Sequence, residues 1–259
     1  MNATVLAYDL YQYMERRSAM IQMSLEFELE RAEIPLEYER VFVSFLKAAC
    51  SGYSEEMFNE LYGSNKPVIK TYTFSVCLPG AEFDSDIIRL KNNRIKMSFS
   101  SCDMGHTIEW FNAFQLMKFK KYPMNRNSMK LVSVRTHNCR QVTEQEIVIK
   151  MQSSLVVRKH DIEKNTDEYL TYNNPHFSSV LRENTEFFLK KMEYDISTEG
   201  FSIIPIKARK IVATCFGRRI DANIGIYKLT GSTELLNLLY LSGIGARRSE
   251  GHGKFEIMM

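Results

Sequence analysis

Residues 20–30 alternate without a break: Ile21, Met23, Leu25, Phe27 and Leu29 are apolar, and Gln22, Ser24, Glu26, Glu28 and Glu30 are polar. Side chains along a strand point to opposite faces with a period of two, so this stretch can only be satisfied as a half-exposed strand. The period then changes. Pro35 sits near the start of a helical stretch running to about Cys50, with Tyr38, Val41, Phe42, Phe45 and Ala49 forming the apolar stripe. A short second helix is predicted from Ser54 to Leu61. Tyr72, Phe74, Val76 and Leu78 mark one strand, and Ile95, Met97 and Phe99 mark the next. Trp110, Phe111, Phe114 and Leu116 mark a helix over 106–117, and a strand follows at 129–135. This order is β-α-β-β-α-β, the ferredoxin-like unit, with one sheet face backed by helices. The aromatics of its strands (Tyr72, Phe74, Phe99) fit the helix-covered face better than a base-stacking one.

The second half repeats the theme. Strands are expected at 145–151, 153–159, about 201–216 and 222–229, with a hairpin turn at Gly217-Arg218-Arg219. A helix is expected at 176–192. Another is N-capped by Ser232 or Thr233 and followed by a last strand from Lys254 to Met258. The fold class is therefore α+β, two tandem ferredoxin-like domains with antiparallel sheets. The expected bounds are an added segment at 1–18, a first domain at 19–125 and a second at 126–259.

Composition narrows the classes. Hydrophobic residues are 44% of the 259 and charged residues 25%, an ordinary globular balance. No apolar run nears the roughly 20 residues of a membrane span. Asp9 and Glu15 break any leader-like core, so a cytoplasmic chain is expected. The five cysteines are scattered with no metal-ligand spacing, which argues for reduced thiols and for no metal or cofactor. The net charge is only +3, yet residues 201–259 hold nine lysines and arginines against four acids. A basic C-terminal quarter suits a polyanion, although the same residues also suit a solvated surface.

The most informative stretch is 241–257, LSGIGARRSEGHGKFEI. Gly243, Gly245, Gly251 and Gly253 surround Arg247, Arg248 and Ser249, with Lys254 opening the last strand. Glycines let a phosphate approach the main chain, successive amides can cradle an anion, and arginines add bidentate contacts. A turn joining helix to strand would need fewer glycines. A nucleotide-binding loop is excluded by order, because this loop follows a helix and leads into a strand.

A glycine-rich stretch of this form, ending two ferredoxin-like domains, resembles the RAMP superfamily of CRISPR-associated proteins. The pattern Gly-x-Gly-x-Arg-Arg-Ser-x-Gly-x-Gly before a strand is similar to the repeat-RNA endoribonuclease family, the sixth Cas family. The stretches IVIKMQSSLVVRKH, YLTYNNPHFSSVLRENTEFFLKKM and IKARKIVATCFGRRIDANIGIYKLTGSTELLNLLYLSGIG carry the same resemblance over about 145–259. It implies a protein that binds CRISPR repeat RNA and cuts the precursor without metal. The 2′-OH would attack, leaving a 2′,3′-cyclic phosphate and a 5′-OH. It further implies that the glycine loop, Arg218 and Arg219 hold RNA in a cleft between the domains, with Ser153, Ser154 and Arg158 on an RNA-facing segment.

The family often carries a catalytic histidine on or after the first helix, and here residues 30–70 contain none. The polar helix face of Arg40, Ser44 and Lys47, with Tyr38 alongside, is the local substitute, since lysine beside other cations can exchange protons and arginine can neutralise phosphoryl charge. His252, within the glycine loop, is a further candidate as proton donor or base-stacking ring, or a tolerated aromatic replacement. Two alternatives stay open: an RNA-binding relative that does not cut, and a structural subunit of a CRISPR effector complex. Partners are then repeat RNA and other CRISPR-associated proteins. A membrane is not among them, and homodimerisation is left open.

Overall fold

The alternation at the start of the chain becomes β1 (Ile21–Leu29), whose Ile21, Met23, Leu25, Phe27 and Leu29 are all buried. The computed structural model describes residues 20–64, 68–215 and 217–258. The expected segment 1–18 lies outside them. The chain forms two compact units, one reaching to Thr71 and resuming over Val76–Arg140, the other comprising Tyr72–Ser75 and everything from Gln141 on.

In the first unit β1 is followed by β2 (Glu33–Pro35), α1 (Tyr38–Tyr53) and α2 (Glu55–Tyr62). Next come β3 (Tyr72–Cys77), of which Tyr72–Ser75 cluster with the second unit, the short β4 (Glu82–Phe83) and β5 (Ile87–Arg89), and then β6 (Arg94–Ser101). The unit closes with α3 (Met104–Met117), β7 (Lys121–Met124) and β8 (Asn127–Asn138). The sheet order is β3-β6-β1-β8-β7, in which β3, β6, β1 and β8 reproduce the expected ferredoxin-like arrangement. The helices cover one face: Phe27 of β1 meets Phe42 and Phe45 of α1 edge-on at 5.4 and 5.1 Å, and Phe99 of β6 meets Trp110 and Phe114 of α3 at 5.3 Å each. Ring pairs at these angles add to the burial of their area. Helix ends follow their caps, Ser54 Oγ accepting from Met57 N and Asp103 Oδ1 from His106 N.

Three expectations change here. Thr73 and Ser75 of β3 are buried along with Tyr72 and Phe74, so that strand has no open polar face; the Thr73 hydroxyl donates to the His252 carbonyl at 3.0 Å. Leu116 is exposed, because the buried stripe of α3 runs through Thr107, Trp110, Ala113 and Phe114. Residues 126–140, assigned from sequence to the second domain, cluster with the first unit, because β8 pairs with β1 along its length and with the unanticipated β7.

The second unit runs β9 (Glu146–Met151), β10 (Val157–Asp161), β11 (Thr166–Leu170), α4 (Phe177–Lys191), β12 (Ser202–Cys215), β13 (Arg218–Thr230), α5 (Thr233–Ser242) and β14 (Phe255–Ile257). Its sheet order, β12-β13-β9-β14, is again ferredoxin-like. The β10–β11 hairpin is an insertion, of which the sequence showed only the first strand. Asn223 ties it to β13: the residue is fully buried, and its side-chain amide donates to Leu155 O and Leu170 O and accepts from Tyr172 N. Phe177 of α4 stacks near Tyr227 of β13 at 6.3 Å, and Ser232 caps α5. No helix among the described residues is long and apolar enough to cross a membrane.

Candidate RNA-binding and catalytic surfaces

The glycine loop runs from the C-terminus of α5 into β14, and it packs against its own chain. Gly245 (φ 79°) and Gly253 (φ 76°) hold left-handed backbone conformations, and a Cβ on either would stand far inside contact distance of a carbonyl oxygen, that of Val156 and of Ile244 respectively. Only glycine fits such positions. The backbone is correspondingly stitched. Ile244 N donates to Gly253 O at 2.9 Å, Gly253 N to Ser154 O at 2.8 Å and Ala246 N to Val156 O at 2.8 Å. Lys254 N donates to Ser153 Oγ at 3.0 Å. These four amides are taken, so none of them is open to the anion cradle expected from sequence.

The side chains of the loop turn inward as well. Arg248 is buried, with its guanidinium 3.6 Å from the centroid of the Phe188 ring and Nη1 donating to Ser242 O. Arg247 donates from Nη2 to Tyr169 Oη and from Nη1 to Glu250 Oε2, both at 2.9 Å. Lys254 is fully buried, and Gly243, Gly251 and Gly253 are buried with it. Ser249 remains half-exposed. His252, 1% exposed, lies with Nδ1 2.7 Å from Ser154 Oγ and Nε2 3.0 Å from Cys215 Sγ. Burial, with the nearby Arg247 charge, pushes its pKa down to about 4. A neutral imidazole has one donor and one acceptor nitrogen, and a hydroxyl and a thiol can serve both. The His252 ring thus clamps the turn end of the β12–β13 hairpin to the loop and is closed to substrate. The expectations of phosphate contact by Arg248 and Lys254 and of catalysis by His252 are corrected accordingly: all three lie inside the packing that the glycines permit.

The β12–β13 hairpin carries a run of exposed cations. Lys207, Arg209, Lys210, Arg218 and Arg219 are all exposed, and Lys210 pairs with Asp221 at 2.7 Å. Arg158 at the start of β10 is half-exposed, with Nη1 3.5 Å from Asp167.

The first unit holds the second group. Arg40, Ser44 and Lys47 share the exposed face of α1, as their spacing requires. Ser44 Oγ and Tyr122 Oη are 2.7 Å apart, and the Tyr122 ring meets Phe45 edge-on at 5.4 Å. The Lys47 ammonium lies 5.4 Å from the Tyr62 ring centroid and that of Lys70 4.9 Å from the same ring. Aromatic faces attract cations, so Tyr62 gathers two of them at one place. Arg40 pairs with Glu37 at 3.6 Å. Tyr38 is half-buried; burial and neighbouring Glu39 push its phenol well up, while burial raises Glu39 to about 7. Tyr38 therefore stays protonated at neutral pH and is a poor base. Tyr62, Lys70 and Tyr122 escape a reading of the sequence because nothing in their spacing from Lys47 or Ser44 relates them; only the packing of α1 with α2 and β7 does.

Comparison with known proteins agrees with the architecture. Residues 137–257 match the family described as CRISPR associated protein Cas6, C-terminal. No curated protein matches the chain. Among solved structures, that of a Cas6-related gene from Pyrococcus furiosus superposes with a TM-score of 0.81 at 16% identity, over 93% of this chain and 98% of the other. One described as a RAMP protein binding different RNA substrates gives 0.80 at 15% identity, over 92% and 100%. A Cas6 product complex gives 0.65 at 14% identity, over 92% and 100%. At such identities the likeness is one of fold.

Proposed function

Since residues 137–257 match the Cas6 C-terminal family and the chain shares the Cas6 fold nearly end to end, we propose that this protein binds CRISPR repeat RNA and cleaves the precursor transcript. The observation that carries the chemistry is the group on α1: Lys47 and Lys70 at one aromatic ring, and Ser44 bonded to Tyr122, all on one unit and open to solvent at Lys47 and Ser44.

RNA supplies its own nucleophile. The 2′-oxygen bonds to phosphorus as the bond from phosphorus to the 5′-oxygen breaks, leaving a 2′,3′-cyclic phosphate and a 5′-OH. The reaction needs a group to accept the 2′ proton, one to protonate the 5′-oxygen and positive charge beside the phosphoryl oxygens. In this reading the Lys47 ammonium gives a proton to the departing 5′-oxygen while water takes the 2′ proton, and Lys70 and Arg40 supply charge. The nucleophile is internal and the charge can come from side chains, so no metal is required. The hairpin cations Arg218, Arg219, Lys207 and Arg209 hold backbone phosphates, a role of charge and position without sequence reading.

A second reading, RNA binding without cutting, draws on the lack of a histidine at residues 30–70 and on the burial of His252. Labelled repeat RNA incubated with the protein in EDTA, beside the same RNA with a 2′-deoxy at the cut, separates the two. A single product in EDTA that the 2′-deoxy abolishes supports cleavage as described. Tight binding with no product leaves the second reading, and no binding sinks both.

A further inference from the structure

Helix α3 ends at Met117, and the next turn closes with Lys118 N donating to Gln115 O and Lys120 N to Met117 O. Phe119 sits between them at φ 64°, its N–H donating to Leu131 O at 2.9 Å. This left-handed position after a helix end is one that glycine fills most readily, because a side chain there is strained. The fold needs the backbone conformation and the Phe119 amide. It does not need the ring, which is 67% exposed and is approached by the Lys118 ammonium at 5.3 Å from its centroid. Lys120 and Lys121 follow, both exposed, and the next residue is Tyr122, which bonds Ser44 of α1. Phe187, the comparable exposed ring of the second unit, differs: it sits mid-helix in relaxed backbone beside Lys191, an ordinary pair one turn apart.

We propose that Phe119 is a stacking platform for a base of single-stranded RNA, with Lys118 and Lys120 taking the flanking phosphates. The inference rests on the reading of this protein as an RNA-binding one, and it assigns a residue that neither the glycine loop nor the α1 face includes. An aromatic face flanked by cations is the chemistry that single-stranded nucleic acid selects: bases stack on the ring while ammoniums follow the backbone. Its nearness in sequence and sheet to Tyr122 places the platform beside the proposed site of cleavage, where it would fix the strand next to the reacting phosphate.

The test uses the full chain and 2′-deoxy repeat RNA, so that binding is read without turnover. Phe119→Ala and Phe119→Leu should each weaken binding by about fivefold to about a hundredfold, whereas F119W should keep wild-type affinity. The chain's only tryptophan, Trp110, is fully buried, so the exposed indole of F119W reports separately, and its emission should be quenched as RNA is added. Phe119→Gly separates this role from a structural one: it should raise the urea midpoint by relieving the strained backbone while binding as weakly as F119A. If the wild type binds and F119A, F119L and F119G match it within about twofold, smaller than any stacking contribution, the platform is refuted and RNA binding stands. If the wild type binds no repeat RNA, the functional reading falls and the platform with it.

Discussion

The Arg248 guanidinium lies 3.6 Å from the centroid of the Phe188 ring, joining the glycine loop to α4 inside the second unit. In solvent such a contact is weak, but a desolvated one is worth about 2 kcal/mol. Arg248→Ala should therefore lower unfolding stability by roughly 2 kcal/mol, and Arg248→Lys should recover little, since an ammonium cannot lie flat on the ring. Urea denaturation measures it. Arg219→Ala, on the exposed hairpin, should leave the midpoint unchanged and weaken RNA binding with a smaller salt dependence. The opposite pattern would return Arg248 to the RNA-binding surface.

Gly245 and Gly253 carry the second prediction. Alanine at either combines a left-handed backbone with a Cβ against a carbonyl oxygen, so each variant should lose on the order of 3 kcal/mol or more, or fail to accumulate folded. Gly217, at φ 79° with nothing within 4 Å of where a Cβ would stand, isolates the backbone share; its alanine variant should lose only about 1 kcal/mol. Equal losses at all three positions would mean that close approach is not what the loop glycines provide.

That loop also shows where sequence stops being legible. Alternation in β1 and helical spacing in α1 and α4 report local geometry, and these elements stand where the periods put them, as do both ferredoxin-like strand orders. The glycines were equally legible as exceptional, but a glycine records only that something approaches the backbone. Whether that is a phosphate or the Val156 carbonyl depends on contacts between residues about ninety apart, which no local pattern holds. The β7 strand is hidden for a similar reason: its short Lys-Tyr-Pro-Met run looks like a linker until β8 pairs with it. For the α1 face, spacing united Arg40, Ser44 and Lys47, but the rings that hold them, Tyr62 and Tyr122, arrive from other elements.

The clamp made by His252 predicts a pH response. Its folded pKa is about 4 and its ordinary value 6.5, so between these the unfolded chain binds the proton more readily. Stability from this group is fully present above about 6.5 and is lost as pH falls towards 4, by about 3 kcal/mol at most. Glu39 works in the opposite sense. Its folded pKa is raised from 4.5 to about 7, so its contribution favours folding at low pH and is lost as pH rises through that window. The two partly cancel in the wild type. In urea denaturation at pH 4.5 and 7.5, His252→Asn should lose the acid-side decline, and Glu39→Gln should lose the alkaline-side one. Identical pH profiles for wild type and His252→Asn would show that the ring is not held neutral.

Lys47 decides the catalytic reading. A positioned proton-transfer group contributes about a hundredfold to ten-thousandfold, so Lys47→Ala should lower the single-turnover cleavage rate by that range while affinity for 2′-deoxy repeat RNA changes by less than about threefold. Lys47→Arg keeps the charge but its guanidinium does not give up a proton, and the variant should remain slow if Lys47 transfers a proton. If it only neutralises phosphoryl charge, Lys47→Arg should be restored instead. Tyr62 supplies the control on position: Tyr62→Phe keeps the ring under both ammoniums and should cut at near the wild-type rate, and Tyr62→Leu removes it and should slow cutting by about threefold to tenfold. Cleavage at the wild-type rate by Lys47→Ala would move the proton transfer away from α1 altogether, because Arg40 is assigned only charge and Tyr38 keeps its proton.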